Sequence, residues 1–139
     1  MQSEGQLSGN YLVINGITVL GVHETLQLTT RGAVLVDLRE AYLWGYKKFD
    51  VPLVIYLPHA ELSMLLSKLP HDSVLILADS SGNRVREDAI ILKENGFQRF
   101  AVLSGGMVEW ERNGGPVIID KGEELTGSCI CQMRKSKST

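Results

Sequence analysis

Cysteine is scarce in this chain of 139 residues: there are two, Cys129 and Cys131, one residue apart and close to the C-terminus. A disulfide scaffold distributes cysteines through a fold, so none is expected here. No apolar run approaches the ~20 residues that a helix needs to cross a bilayer, which argues against a membrane protein. The opening residues Met1-Gln2-Ser3-Glu4-Gly5-Gln6 lack a basic segment followed by an apolar core, so no signal peptide is expected and the chain reads as cytoplasmic. Basic residues do not dominate either. Lysine and arginine number 14 against 16 aspartates and glutamates, and only the last residues form a basic cluster, which excludes the positive stripe of a nucleic-acid binder.

What is present fits one globular domain. Hydrophobic residues make up 44% and charged residues 22%, too apolar a balance for a disordered chain. Residues 1–14 read as a loose N-terminal segment. Short apolar runs then alternate with amphipathic ones. Strands are expected at residues 17–20, 34–38, 53–57, 74–77 and, last in the chain, 100–103, because β-branched and aliphatic residues run together between turn signals. Helices are expected at 24–28, 40–46, 59–69, 85–95 and 107–112. Leu62, Leu65, Leu66 and Leu69 recur at helical spacing before Pro70, and Gly96 stops the 85–95 helix. Strands alternating with helices imply an α/β fold: a mostly parallel five-stranded sheet with helices on both faces, in three layers.

In such folds ligands bind beyond the carboxyl ends of the strands. The loop Asp79-Ser80-Ser81-Gly82-Asn83-Arg84 lies there, ahead of a helix that begins at Val85. A loop curled in this way points N–H groups inward, and the helix N-terminus adds partial positive charge, so residues 80–85 form a candidate anion cradle with Arg84 at its rim. A simple helix-capping loop is the alternative. No metal site or cofactor is expected, and the partner expected near the loop is a small anion or another protein. His23, His59 and His71 read as surface residues, and Lys47-Lys48 as a solvated pair. Trp44 and Trp110 read as packing residues.

Several motifs occur in one order: Val34-Leu35-Val36-Asp37-Leu38-Arg39-Glu40, Ser81-Gly82-Asn83-Arg84, Asn95-Gly96-Phe97, Val102-Leu103-Ser104-Gly105-Gly106-Met107-Val108-Glu109-Trp110 and Gly114-Gly115-Pro116-Val117. Together they resemble the rhodanese (thiosulfate sulfurtransferase) family, over a domain of residues 15–118. The resemblance implies an active loop of the form Cys-x-x-x-x-Arg whose cysteine carries a persulfide. Arg84 falls on the arginine and Asp79 on the cysteine. After Trp44-Gly45 the family's usual Gly-His-Ile-Pro-Gly-Ala is also altered, to Gly45-Tyr46-Lys47-Lys48-Phe49-Asp50-Val51-Pro52. The resemblance further implies structural roles for Asp37, which would accept backbone donors, and Arg39, which would pair with a carboxylate. Gly105 and Gly106 fit close strand-to-helix packing.

A carboxylate has no stable equivalent of a persulfide, so the usual chemistry is closed at Asp79. The expectation is that Asp79 acts as an internal anion, accepting loop N–H groups and pairing with Arg84; a plain aspartate facing water is the alternative. The function expected is a rhodanese-like domain without ordinary sulfurtransferase activity that binds an anion or a partner. One rival is a sulfurtransferase or persulfide carrier acting through Cys129 or Cys131 in the tail, residues 119–139. A second rival is an aspartate-based hydrolase.

Overall fold

The computed structural model describes residues 11–119. Five parallel strands form the centre of the fold: β2 (Ile17–Leu20), β3 (Val34–Asp37), β5 (Val54–Tyr56), β6 (Leu75–Ala78) and β7 (Phe100–Leu103). A sixth strand, β1 (Leu12–Ile14), joins antiparallel at the edge, giving the order β1-β2-β7-β6-β3-β5. A separate two-stranded antiparallel sheet pairs β4 (Lys47–Phe49) with β8 (Val117–Ile119).

The continuous apolar strands exist because both faces are covered. Along β3 and β6, Val34, Val36, Leu75 and Leu77 face one core, which Leu62, Leu69, Val85, Ala89 and Leu92 complete. Leu35, Ile76 and Ala78 face the other, with Phe49, Met107 and Trp110. Helix α3 (Val85–Glu94) lies over the first face. Helices α1 (Val22–Thr29) and α4 (Gly106–Arg112) contribute to the second, and the short α2 (Ala41–Trp44) follows β3. Trp110, fully buried, meets Phe49 edge-on at 5.3 Å and donates its indole N–H to the Pro116 carbonyl at 2.7 Å. That bond ties α4 to the turn that launches β8.

The fold departs from the sequence expectations at β4, where no strand was expected, and in three further places. Residues 59–69 form two 3₁₀ segments, His59–Met64 and Leu66–Lys68, and not one α-helix. Leu65, at φ −115° and ψ 25°, breaks the run; Leu62 and Leu69 are buried in the core, and Leu65 and Leu66 pack against it only in part. Eleven residues between prolines, with Ser63 and Ser67 competing for backbone groups, are too few to hold an α-helix without a full apolar face. Secondly, ordered structure begins before residue 15. Asn15 (φ 52°) and Gly16 (φ 79°) make a two-residue turn that pairs Ile14 with Ile17, so Leu12–Ile14 is a strand. Thirdly, Phe100–Leu103 is not the last strand, since β8 follows it and reaches one residue past 118.

Candidate active-loop site

Strand β6 ends at Ala78, and the next six residues wrap into a tight loop before α3 begins at Val85. The Asp79 side chain turns back into that loop. Its Oδ1 accepts the Gly82 N–H at 2.6 Å and its Oδ2 accepts the Arg84 N–H at 2.9 Å, and the residue is only 7% exposed. These are short charge-assisted bonds from backbone donors. Asp79 is therefore not a carboxylate standing in water. The pairing expected with the Arg84 side chain is absent: among the described residues the guanidinium joins no ion pair, and Arg84 meets Asp79 through its backbone N–H alone. Curling the loop around the carboxylate directs the Arg84 amide inward and leaves the residue itself exposed.

The outer side of the loop is held by the neighbouring turn. The amides of Met107 and Val108 donate to the carbonyls of Asp79 and Ser80 at 2.9 and 3.0 Å. This contact explains Gly82 and Gly106, whereas a Cβ on Gly105 would meet the Glu109 side chain. A Cβ on Gly106, at φ 59°, would stand 2.4 Å from the Asp79 carbonyl, and one on Gly82 would stand 2.8 Å from the Gly105 nitrogen. Two backbones are in contact here, and side chains cannot fit between them.

Next to the loop, Asp37 and Arg39 form a buried fork. The Arg39 guanidinium donates from Nε and Nη2 to Asp37 at 2.8–3.2 Å, and its backbone N–H donates to Oδ1 at 3.1 Å. Nη2 also donates to the Lys47 carbonyl at 2.7 Å, and the guanidinium lies 5.2 Å above the Phe49 ring. Asp37 accepts one backbone donor, the Arg39 N–H, and is itself the carboxylate with which Arg39 pairs. Burial raises the pKa of the nearby Tyr56 phenol, Asp37 raises it further and Arg39 opposes this. A cleft of about 260 Å³ opens between these two features, with Leu38, Arg39, Tyr42, Asp79, Ser81 and Arg84 among its walls. The Lys47 Nζ lies 2.7 Å from Glu111 of α4 in a partly exposed ion pair.

One feature was missed by the sequence reading. His59 is not a plain surface histidine: its Nδ1 stands 2.6 Å from Oδ1 of Asp88, a carboxylate with no exposure. The signal was present. Asp88 shares its helix face with Val85, Ala89 and Leu92, the apolar stripe of α3, and a buried acid there calls for a cation. Burial pushes Asp88 up to about 6, against the pull of His59, while Asp79 and Glu87 add to the rise. Trp44 rests against Tyr56, with 5.0 Å between ring centroids. His71 stacks on Phe97 at 3.8 Å, and His23 is exposed on α1. Cys129 and Cys131 lie outside the described residues. Among the described residues no group of three His, Cys, Asp or Glu is placed to hold a metal ion, and no helix is long and apolar enough to cross a membrane.

Residues 22–113 match the rhodanese-like domain family. The chain belongs to that family. As a rhodanese-like chain it is 28% identical over 93 residues to a sulfurtransferase of Allochromatium vinosum, covering 67% of this chain and 85% of that protein. It is 27% identical over 101 residues to the thiosulfate sulfurtransferase GlpE of Actinobacillus pleuropneumoniae serotype 7, covering 72% and 92%. The rhodanese fold is shared with a rhodanese-related protein of Thermoplasma volcanium (TM-score 0.64, 21% identity, 72% of this chain and 96% of that one). It is shared too with a polysulfide-sulfur transferase homodimer of Wolinella succinogenes (TM-score 0.64, 22% identity, 73% and 78%).

Proposed function

We propose that this rhodanese-like domain does not carry sulfur on its 79–84 loop and serves as a binding module, with the loop surface as its recognition face. The observation that carries this reading is the Asp79 carboxylate, almost wholly buried and accepting two loop amides at the position where the family resemblance expects a cysteine. Sulfur transfer needs a polarisable thiolate that holds the sulfane sulfur as a persulfide; a carboxylate is hard and forms no such species. Binding of an anionic donor is opposed as well. A carboxylate about 4 Å from a unit negative charge costs ~4 kcal/mol at an effective dielectric near 20, on the order of a thousandfold in affinity.

The same geometry argues against an aspartate nucleophile. Two N–H bonds stabilise the ionised carboxylate and lower its reactivity. Outside the filled cradle, Ser80, Ser81, Asn83 and Arg84 are exposed and Tyr42 stands at the cleft, which favours a protein partner over a free anion. The test is thiosulfate-to-cyanide sulfur transfer. Wild-type protein yields no thiocyanate above background, and Asp79→Cys confers turnover. Wild-type turnover that survives Cys129→Ser with Cys131→Ser would overturn the reading.

A second reading draws on one observation. Ile119, the last described residue, pairs with Lys47, whose carbonyl accepts from Arg39 at the cleft wall. Cys129 follows ten residues later, a stretch of at most ~36 Å when extended, and in this reading it reaches Arg84. There a tail thiolate would attack the sulfane sulfur of thiosulfate, forming a cysteine persulfide and releasing sulfite. Sulfur added to Cys129 or Cys131, found by mass spectrometry after thiosulfate treatment, would support it.

A further inference from the structure

We propose that His59 and Asp88 form a proton-operated latch that couples the His59–Met64 segment to the first turn of α3, and through it to the Arg84 end of the loop. The Asp88 carboxylate is shut off from solvent, and neither oxygen takes a hydrogen bond among the described residues. Its one cation there is His59, at 2.6 Å; the contact has the distance of an ion pair without hydrogen-bond geometry, so its strength rests on both charges. The ion pair holds while Asp88 is ionised, and protonation of Asp88 ends it.

Both partners are wired to the loop. The Asp88 and Glu87 N–H groups donate to the Arg84 carbonyl at 3.2 and 3.0 Å, and the Arg84 N–H in turn donates to Asp79. On the other side the His59 N–H donates to the Leu38 carbonyl at 2.9 Å, and the Leu38 N–H donates to Ala78, the residue before Asp79. The negative groups that press on Asp88 are Asp79 from the loop and Glu87 from α3 itself, and the positive one is His59. Burial and the two acids hold the Asp88 carboxyl near 6, so Asp88 takes its proton within reach of neutral pH. The His59 side chain, a quarter exposed, has an open path to water once its counterion is gone.

The experiment follows the Asp88 side-chain carboxyl carbon and the Gly82, Arg84 and Ala89 amides by NMR between pH 5 and 7.5 in the full chain. In wild type all four titrate together with a midpoint near 6. Asp88→Asn abolishes the amide transitions, and His59→Gln moves the carboxyl midpoint upward because the carboxylate loses its cation. Loop amides that stay flat while Asp88 titrates would overturn the proposal, and so would amide transitions that persist in Asp88→Asn. Should Asp88→Asn not fold, the match between the wild-type carboxyl and amide midpoints decides alone, a mismatch overturning it. This outcome is independent of sulfur transfer, so the two proposals fail separately.

Discussion

Three aspartates lie within one end of this domain, and each is kept from water in a different way. Asp37, the last residue of β3, is gripped by a guanidinium fork and one backbone amide. Asp79, in the loop after β6, has no side-chain cation among the described residues but takes two backbone N–H groups. Asp88, in the first turn of α3, has a single imidazole. The Asp37 corner and the Asp88 turn are both fully buried, yet the corner is bound by a permanently charged group and the turn by one whose charge depends on pH. The corner is thereby a structural rivet, and the turn is the part of the site that protons can reach.

The largest effect is expected at the corner. Arg39→Ala leaves Asp37 as an uncompensated buried charge and removes the link to Lys47, at a cost of about 3–5 kcal/mol, measured by urea denaturation. A loss below ~1 kcal/mol would mean that water enters the corner and that the contrast with Asp88 is weaker than drawn.

Gly106→Ala is the next largest. The added methyl would press on the Asp79 and Ser80 carbonyls from a left-handed backbone position. Destabilisation of roughly 1–3 kcal/mol is expected, with displaced Gly82 and Arg84 amide resonances. Unchanged resonances would show that the loop is not held through the Gly105–Gly106 turn.

The alternation of apolar strands and helices, and with it the three-layer α/β fold, was legible because both sheet faces are buried and the strands read as unbroken apolar runs. β1 was legible in principle through Asn15-Gly16, a strong two-residue hairpin signal, but three half-exposed residues carry little pattern of their own. β4 was hidden, since Lys47-Lys48-Phe49 has one apolar residue and forms only because β8 lies beside it. At the site, a carboxylate partner for Arg39 was legible from the family resemblance, though not that Asp37 supplies it. The direction of Arg84 was not, because whether a residue offers its guanidinium or its amide depends on how the loop turns. The His59–Asp88 pair was out of reach as a pair, since it joins residues 29 positions apart from two separate elements.

An effect of the same size as at Gly106 is expected at the loop itself. Asp79→Asn keeps one acceptor oxygen but turns an NH₂ group toward a backbone donor, leaving one loop amide unpaired. The cost is about 1–3 kcal/mol, seen in denaturation together with faster hydrogen exchange at Gly82 or Arg84. Unaltered exchange at both amides would show that the carboxylate is not what holds the loop.

The last comparison separates the Asp88 turn from the rivet by pH. The folded chain holds the Asp88 carboxyl at about 6, against 3.8 without the fold, so it binds that proton more tightly than the unfolded chain does. The contribution to stability is therefore fully present below 3.8 and is lost as pH rises through about 6. In Asp88→Asn the group cannot ionise, so the variant's stability relative to wild type should improve on going from pH 4 to pH 7, as wild type loses its contribution. The measurement is the difference in urea midpoint between the two proteins across that range. A difference that stays constant would show that Asp88 ionises as freely in the fold as outside it, and the distinction between the two corners would then rest on hydrogen bonding and not on charge.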